Sequence, residues 1–318
     1  MRQAVTDRII AMLAQGGHVA RARWVAAASR GFPRNLHTGR CYRGANVLLL
    51  WDEAIAQGHA TNFWMTYRQA AMLGGQVRRG ARGVMCAHFD RVPGRPARDE
   101  AQAGAAGKGA LCGVDEGEGL GSARVGVLRC RPLWLFNLAQ VDGLPDDLGM
   151  AACEGAPAWA GPMAGEGRGA VETALRLVVG CDAVVRHGFG VASYVPVRDE
   201  IRLPLPKRFA SAENYCATLL HELVHWTGHP ARLHRAFGPR FGDAAPAFEA
   251  LVAELGSAFL MGHCGLVQAT IEGHTGRLEA WLQLLRHDRS AIFTAARHAS
   301  DAFDWILARG LPEVEDLL

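Results

Sequence analysis

SYVPVRDEIRLPLPKRFASAENYCATLLHELVHWTGHPARLHR, residues 193–235, decides the fold. Two short runs, Ser193–Val197 and Glu200–Leu203, carry strand-forming residues and meet at Arg198–Asp199, which predicts a strand pair. Pro196 confines its strand to a sheet edge. Ser211 then offers an N-cap, no Pro or Gly interrupts 211–227, and Gly228 with Pro230 stops the pattern. A long helix is expected from Ser211 to Trp226.

That helix carries His221-Glu222-Leu223-Val224-His225, an HExxH motif. Residues four apart stack on one helix face, so both imidazoles can reach one Zn²⁺, or another divalent metal such as Mn²⁺. Glu222 projects from the adjoining edge, where it can take a proton from water as the catalytic base. A third protein ligand is needed. The extended HExxHxxGxxH pattern fails because position 231 is Ala, and His229 and His234 lie beyond the helix stop. FEALVAELGSA, residues 248–258, offers Glu249 and Glu254 on a following helix. Five residues place them about 140° apart, so one face cannot present both. The small neighbours Ala253, Gly256, Ser257 and Ala258 permit close helix approach and favour Glu254, with Glu249 as the alternative.

Working outward, helices are expected near 171–179, 246–262, 276–286 and 288–309. A small sheet followed by mostly helix is the layout of a zincin-type core. Towards the N-terminus, the reading is a helix over 3–15, with an extension to Ala28 left open, a polar loop Pro33–Gly39, a mixed stretch Asn46–Gln57 and a helix near Thr66–Leu73. Strands over Gly83–Phe89 and Ala123–Leu128 flank a Gly/Ala-rich insertion at 93–122. The Gly/Ala/Pro-rich stretch 149–169 reads as a linker. The chain thus divides into 1–148 and 170–318, an α+β fold of two domains, each with length enough for its own core.

The 318 residues carry a formal net charge of only +3, which hides a division. Residues 1–98 hold fifteen Arg, no Lys and four acids, a net +11, whereas residues 151–318 are net −4. A half so poor in acids points to a polyanionic partner. Between Arg30 and Arg82, cations interleave with rings in RGFPRNLHTGRCYRGAN and NFWMTYRQAAMLGGQVRRGARG. Single-stranded DNA binding needs Arg along the phosphates and rings on the bases. Arg34, Arg40, Tyr42, Arg43, Arg68, Arg78, Arg79 and Arg82 are the candidates. Trp51, Phe63 and Trp64 are assigned to the core. No helix-turn-helix, zinc finger or basic zipper signature is present.

No run of eighteen apolar residues occurs, and the first seventeen residues read as an amphipathic helix and not a signal peptide. The eight cysteines contain no CxxC pair. A cytoplasmic protein without a disulfide framework or a membrane partner is expected.

The run 194–235, with its strand ending in D.I..P and its HELVHWTGH..RL.R, resembles the metallopeptidase-like domain of the ArdC antirestriction family. FEALVAELGSAFL resembles that family's acidic third-ligand helix, although Ala250 stands where relatives often carry a second glutamate. RLEAWLQLLRHDRSAIFTAARHASDAFDWIL resembles its closing helices. Asn35, Thr38-Gly39, Tyr42, Gly44, Asn46, Trp64, Thr66-Tyr67, Gln69, Gly74-Gly75, Val77, Gly80, Gly83 and FNLAQVDGLP are similar to its N-terminal domain. The resemblance implies an antirestriction protein of a conjugative plasmid or phage that binds single-stranded DNA, protects it from restriction, and carries a zinc metallopeptidase centre acting on a protein or peptide, such as a restriction-system component. The residues alone leave open a non-catalytic, metal-stabilised scaffold or docking module.

Overall fold

A computed structural model describes residues 2–15, 17–28, 30–92, 127–145, 168–272 and 278–310. The insertion at 93–122 and most of the 149–169 stretch lie outside the described residues.

The chain begins with α1 (Arg2–Ala14) and α2 (Gly17–Ala28), two helices where one long helix was allowed. Val5, Ile9, Met12 and Leu13 of α1 are buried at helical spacing. β1 (Arg34–Asn35) forms within the expected polar loop, and α3 (Ala45–Ala56) occupies the expected mixed stretch. Val47–Trp51 of α3 are all fully buried, a continuous apolar run in which no helical period stands out. β2 (Phe63–Met65) leads into α4 (Tyr67–Met72), whose Thr66 N-cap forms a capping box with Gln69.

β3 (Gln76–Val77), β4 (Val84–Val92), β5 (Val127–Asn137) and β6 (Val141–Asp142) complete the N-terminal half. The main sheet runs β1-β2-β5-β4, and β3 pairs with β6. β4 and β5 pair antiparallel from Val84↔Leu135 to Val92↔Val127, so the insertion joins the two strands of one hairpin. Residues 123–126 of the strand expected over 123–128 lie outside the described residues, and its last two residues open β5, which runs on to Asn137. Arg129, Arg131 and Pro132 mask it in the sequence. Pro132 is tolerated because β2 pairs with β5 at Phe136 and Asn137, leaving β4, through Ala87, as the neighbour of Pro132 among the described residues.

In the C-terminal half, α5 (Arg168–Gly180) precedes a three-stranded sheet ordered β7-β9-β8. β8 (Ser193–Val195) and β9 (Glu200–Leu203) are the expected antiparallel pair, and β7 (Val184–His187) adds a parallel strand on the other side of β9. α6 (Ala212–Thr227), α7 (Ala245–Cys264), α8 (Leu278–His287) and α9 (Ala291–Gly310) follow. The Ser211 hydroxyl accepts from the Asn214 amide at 3.1 Å, which fixes the start of α6 at the expected cap. α7 lies in the only stretch among the described residues, Gly242–Cys264, long and apolar enough to cross a membrane, and 72% of its apolar 18-residue window is buried inside the protein.

The two halves do not bury separate main cores. One cluster joins Ile9, Trp24 and Leu50 to Leu177, Ile201, Leu223, Phe259 and Ile306. Phe32 and Trp51 meet Phe259 at 5.6 and 5.5 Å, and Phe32 meets Phe303 at 4.7 Å. A Cβ placed on Gly262 of α7 would stand 1.9 Å from the Ala28 Cβ of α2, so the missing side chain lets these helices touch. A smaller cluster of Leu36, Met65, Ala70, Val77 and Val141 sits under α4, β3 and β6.

Candidate metal centre

α6 and α7 pack face to face because Gly256 leaves room for Val224, 2.9 Å from where a Cβ would stand. This places α7 against the HExxH face. His221 and Glu222 are buried, and the His221 and His225 rings lie 5.1 Å apart between centroids. His225 Nδ1 is 3.2 Å from Glu249 Oε1, and His221 Nδ1 is 3.5 Å from Ser257 Oγ. A carboxylate only accepts, so the proton of neutral His225 sits on Nδ1 and Nε2 keeps its lone pair. The Ser257 hydroxyl donates to the Glu254 carbonyl at 3.0 Å and meets His221 with a lone pair, which gives His221 the same polarity. Two imidazoles presenting Nε2 on one face suit a borderline divalent cation.

Of the two acidic candidates, Glu249 touches His225. Arg235, whose side chain is wholly buried, holds Glu249 through Nη2 to Oε1 at 2.7 Å and Nε to Oε2 at 3.1 Å. Burial opposes ionisation of Glu249, but the hydrogen bonds from His225 and Arg235 and the Arg235 charge outweigh it and hold the carboxyl below its ordinary range. Glu254 is buried one helical turn before Ser257, beside Ala253 and Gly256. Among the described residues, no three His, Cys, Asp or Glu side chains stand as a closed ligand set. The donor chemistry fits a divalent cation all the same.

Glu222, His225 and Glu249 open onto a cleft of about 490 Å³, whose other walls include Ser193 and Tyr194 of the β8 edge, Pro196 of the turn after it, Phe237 and Pro246. Arg232 ties this edge to α6. It donates to Asp199 Oδ2 at 2.9 Å and to the Trp226 carbonyl at 2.7 Å, and lies 3.7 Å over the Trp226 ring. The Arg232 hydrogen bond holds the Asp199 carboxyl below its ordinary range, and the Tyr194 hydroxyl donates to the same carboxylate at 2.9 Å. His229 lines the cleft, and His234 is exposed. The roles of Arg232 and Arg235 were missed in the sequence. The available signal was their place just after a helix end, where cations cap the last carbonyls; Arg235 also donates to the Val224 carbonyl at 2.6 Å.

The candidate DNA-binding residues divide. Arg34 is buried, 4% exposed in β1, which removes it from any phosphate. Tyr42 is half-buried against the main core, and its hydroxyl accepts from Asn35 Nδ2 at 2.8 Å. Burial pushes that phenol well above its ordinary range, and the ring is not a free stacking surface. Asn35 also donates to Gln69 Oε1 at 3.1 Å, so Asn35, Tyr42, Thr66 and Gln69 form one network that holds the loop to α4. Arg43 pairs with Asp301 and Asp304 of α9, and Arg78 pairs with Asp142 at 3.4 Å. Arg40, Arg68, Arg79 and Arg82 are exposed. Trp51 and Trp64 are fully buried, as expected of core rings.

Residues 172–298 match the zincin-like metallopeptidase family MPTase-PolyVal, and residues 1–109 match ArdcN, the N-terminal domain of the anti-restriction factor ArdC. The metal-free crystal structure of the antirestriction ArdC protein from plasmid R388 aligns with a TM-score of 0.71 and 31% identity, over 98% of this chain and 97% of that one. The chain belongs to the ArdC antirestriction family. The Mn(II)-bound form of R388 ArdC aligns equally well, covering 99% of that chain. The uncharacterized protein y4eC of Sinorhizobium fredii (strain NBRC 101917 / NGR234) is 35% identical over 309 residues, 96% of this chain and 91% of y4eC. A DNA primase TraC of Escherichia coli is 34% identical over 320 residues, yet the chain spans only 28% of that primase. In this ArdC-family chain the zincin-like region follows the ArdC N-terminal region, and the overall fold is α+β as expected.

Proposed function

We propose that this ArdC-family chain protects incoming plasmid or phage DNA in the cytoplasm by binding it as a single strand through its basic N-terminal half, and that its zincin-like half is a metal-dependent peptidase centre. His221, His225 and Glu254 would hold the cation, Zn²⁺ or Mn²⁺, while Glu249 and Arg235 orient His225. A bound divalent cation supplies Lewis acidity towards a carbonyl and water. Glu222, at the cleft wall, accepts the proton of the attacking water and returns it to the leaving amine. The β8 edge can pair with an extended peptide and align its carbonyl with Glu222. The observation that carries this reading is the shared cleft, in which the HExxH glutamate and second histidine face an edge strand.

The test measures Zn²⁺ and Mn²⁺ binding, proteolysis with and without single-stranded DNA, and protection of DNA from restriction, for the full chain and for Glu222→Gln. Unchanged metal affinity with proteolysis reduced at least a hundredfold, roughly, supports the centre. Metal binding and full protection without proteolysis in either form would instead identify a metal-stabilised docking scaffold.

A further inference from the structure

On the N-terminal sheet an aromatic row runs out from beneath the smaller core cluster. Phe136 and Trp134 lie two residues apart on β5 and so share a face, about 7 Å apart along the strand. Tyr67, the first residue of α4, meets Phe136 edge-on at 6.5 Å. Tyr67 and Trp134 are 54% and 53% exposed, unlike the fully buried Trp51 and Trp64. The neighbours keep the row in place. Gln76 Nε2 donates to the Tyr67 hydroxyl at 2.8 Å, and a Cβ on Gly83 would come 3.0 Å from the Phe136 ring. Arg68 follows Tyr67, and the exposed Arg79 and Arg82 stand in the turn that ends at Gly83. Large rings held open to solvent beside cations combine the two ingredients of sequence-tolerant strand binding.

We infer that the exposed rings of Tyr67 and Trp134, together with Phe136, are the base-stacking platform for single-stranded DNA, with Arg68, Arg79 and Arg82 on the phosphates. This rests on the DNA-binding reading above and relocates its stacking surface from Tyr42. The row is invisible to a linear reading because Tyr67 and Phe136 are far apart in the chain and meet only once β2 pairs with β5 at Met65 and Phe136.

Full-length protein is titrated with a labelled oligothymidine at several salt concentrations, alongside Trp134→Ala, Tyr67→Ala and Trp134→Phe. Thermal unfolding checks that each variant folds. A loss of about tenfold in affinity for each alanine variant, with Trp134→Phe within about threefold of the parent, supports the platform. Quenching of tryptophan emission by the oligonucleotide that disappears in Trp134→Phe supports it independently. If the parent binds with a steep salt dependence while both alanine variants bind equally well, the platform is overturned and the DNA-binding reading stands. If the parent does not bind the oligonucleotide, that reading fails and the platform with it.

Discussion

Glu249 Oε1 accepts from His225 Nδ1 at 3.2 Å while Arg235 grips both oxygens of the same carboxylate. A carboxylate committed in this way orients a metal-binding imidazole and is poorly placed to bind the metal itself. Glu249→Gln is expected to weaken Zn²⁺ or Mn²⁺ binding by roughly 10- to 100-fold, whereas Glu254→Gln, at the proposed third ligand, is expected to cost more. Competition titration against a chelator measures both. The reverse ranking would make Glu249 the third ligand.

Arg232 joins the turn of the β8–β9 pair to the end of α6 through Asp199 and the Trp226 carbonyl. Arg232→Met keeps the aliphatic stem over the Trp226 ring but removes the donors. A destabilisation of about 1–3 kcal/mol is expected from the stranded acceptors. In a double-mutant cycle with Asp199→Asn, urea unfolding should show a coupling of at least about 0.5 kcal/mol. Simple additivity would mean that the contact does not hold the edge strand to the helix.

The C-terminal half was legible because its signals are local. Ser211 caps α6, Gly228 ends it, and the pair Ser193–Val195 with Glu200–Leu203 forms as read. Here the HExxH spacing and the cap specify one helix face without reference to the rest of the fold. β7 escaped notice because Val184–His187 is short and largely exposed, with no alternating pattern. In the N-terminal half the same local logic misled. Arg34 reads as one more cation in a polar loop, yet pairing with Phe63 and Cys41 draws it inside. Tyr42 reads as a ring on a Gly-rich loop, yet it packs on the core. Charge along the chain marked a real compositional change but not an energetic boundary, since Phe32 and Trp51 on one side pack on Phe259 on the other.

That shared core has a mechanical consequence. Gly262→Ala gains helix propensity, but its Cβ would overlap Ala28 at a helix contact with no flexible side chain to give way. Overpacking wins, and a net loss of about 1–3 kcal/mol is expected. Because α2 carries the damage into the N-terminal half, near-ultraviolet circular dichroism and oligonucleotide binding should fall together on heating. By the same argument residues 1–148 alone expose Trp24, Phe32 and Trp51, and should aggregate or remain molten. A separately folded fragment with native oligonucleotide affinity would contradict the shared core.

His298 of α9 packs edge-on against Phe237 at 5.1 Å. Burial is the largest influence and, with the charges of Arg297, Arg235 and Arg240, lowers its pKa from 6.5 to about 4, against an opposing contribution from Glu249. The folded protein therefore keeps His298 neutral at a pH where the unfolded chain protonates it. The unfolded state binds more protons between about pH 6.5 and 4, so stability rises with pH across that window and is lost as pH falls. The slope from this group cannot exceed about 1.4 kcal/mol per pH unit, and partial exposure reduces it. His298→Gln should flatten the difference between urea midpoints at pH 7 and pH 5 and leave the pH 7 value within about 1 kcal/mol. Parallel pH profiles for parent and variant would assign the acid sensitivity to other groups.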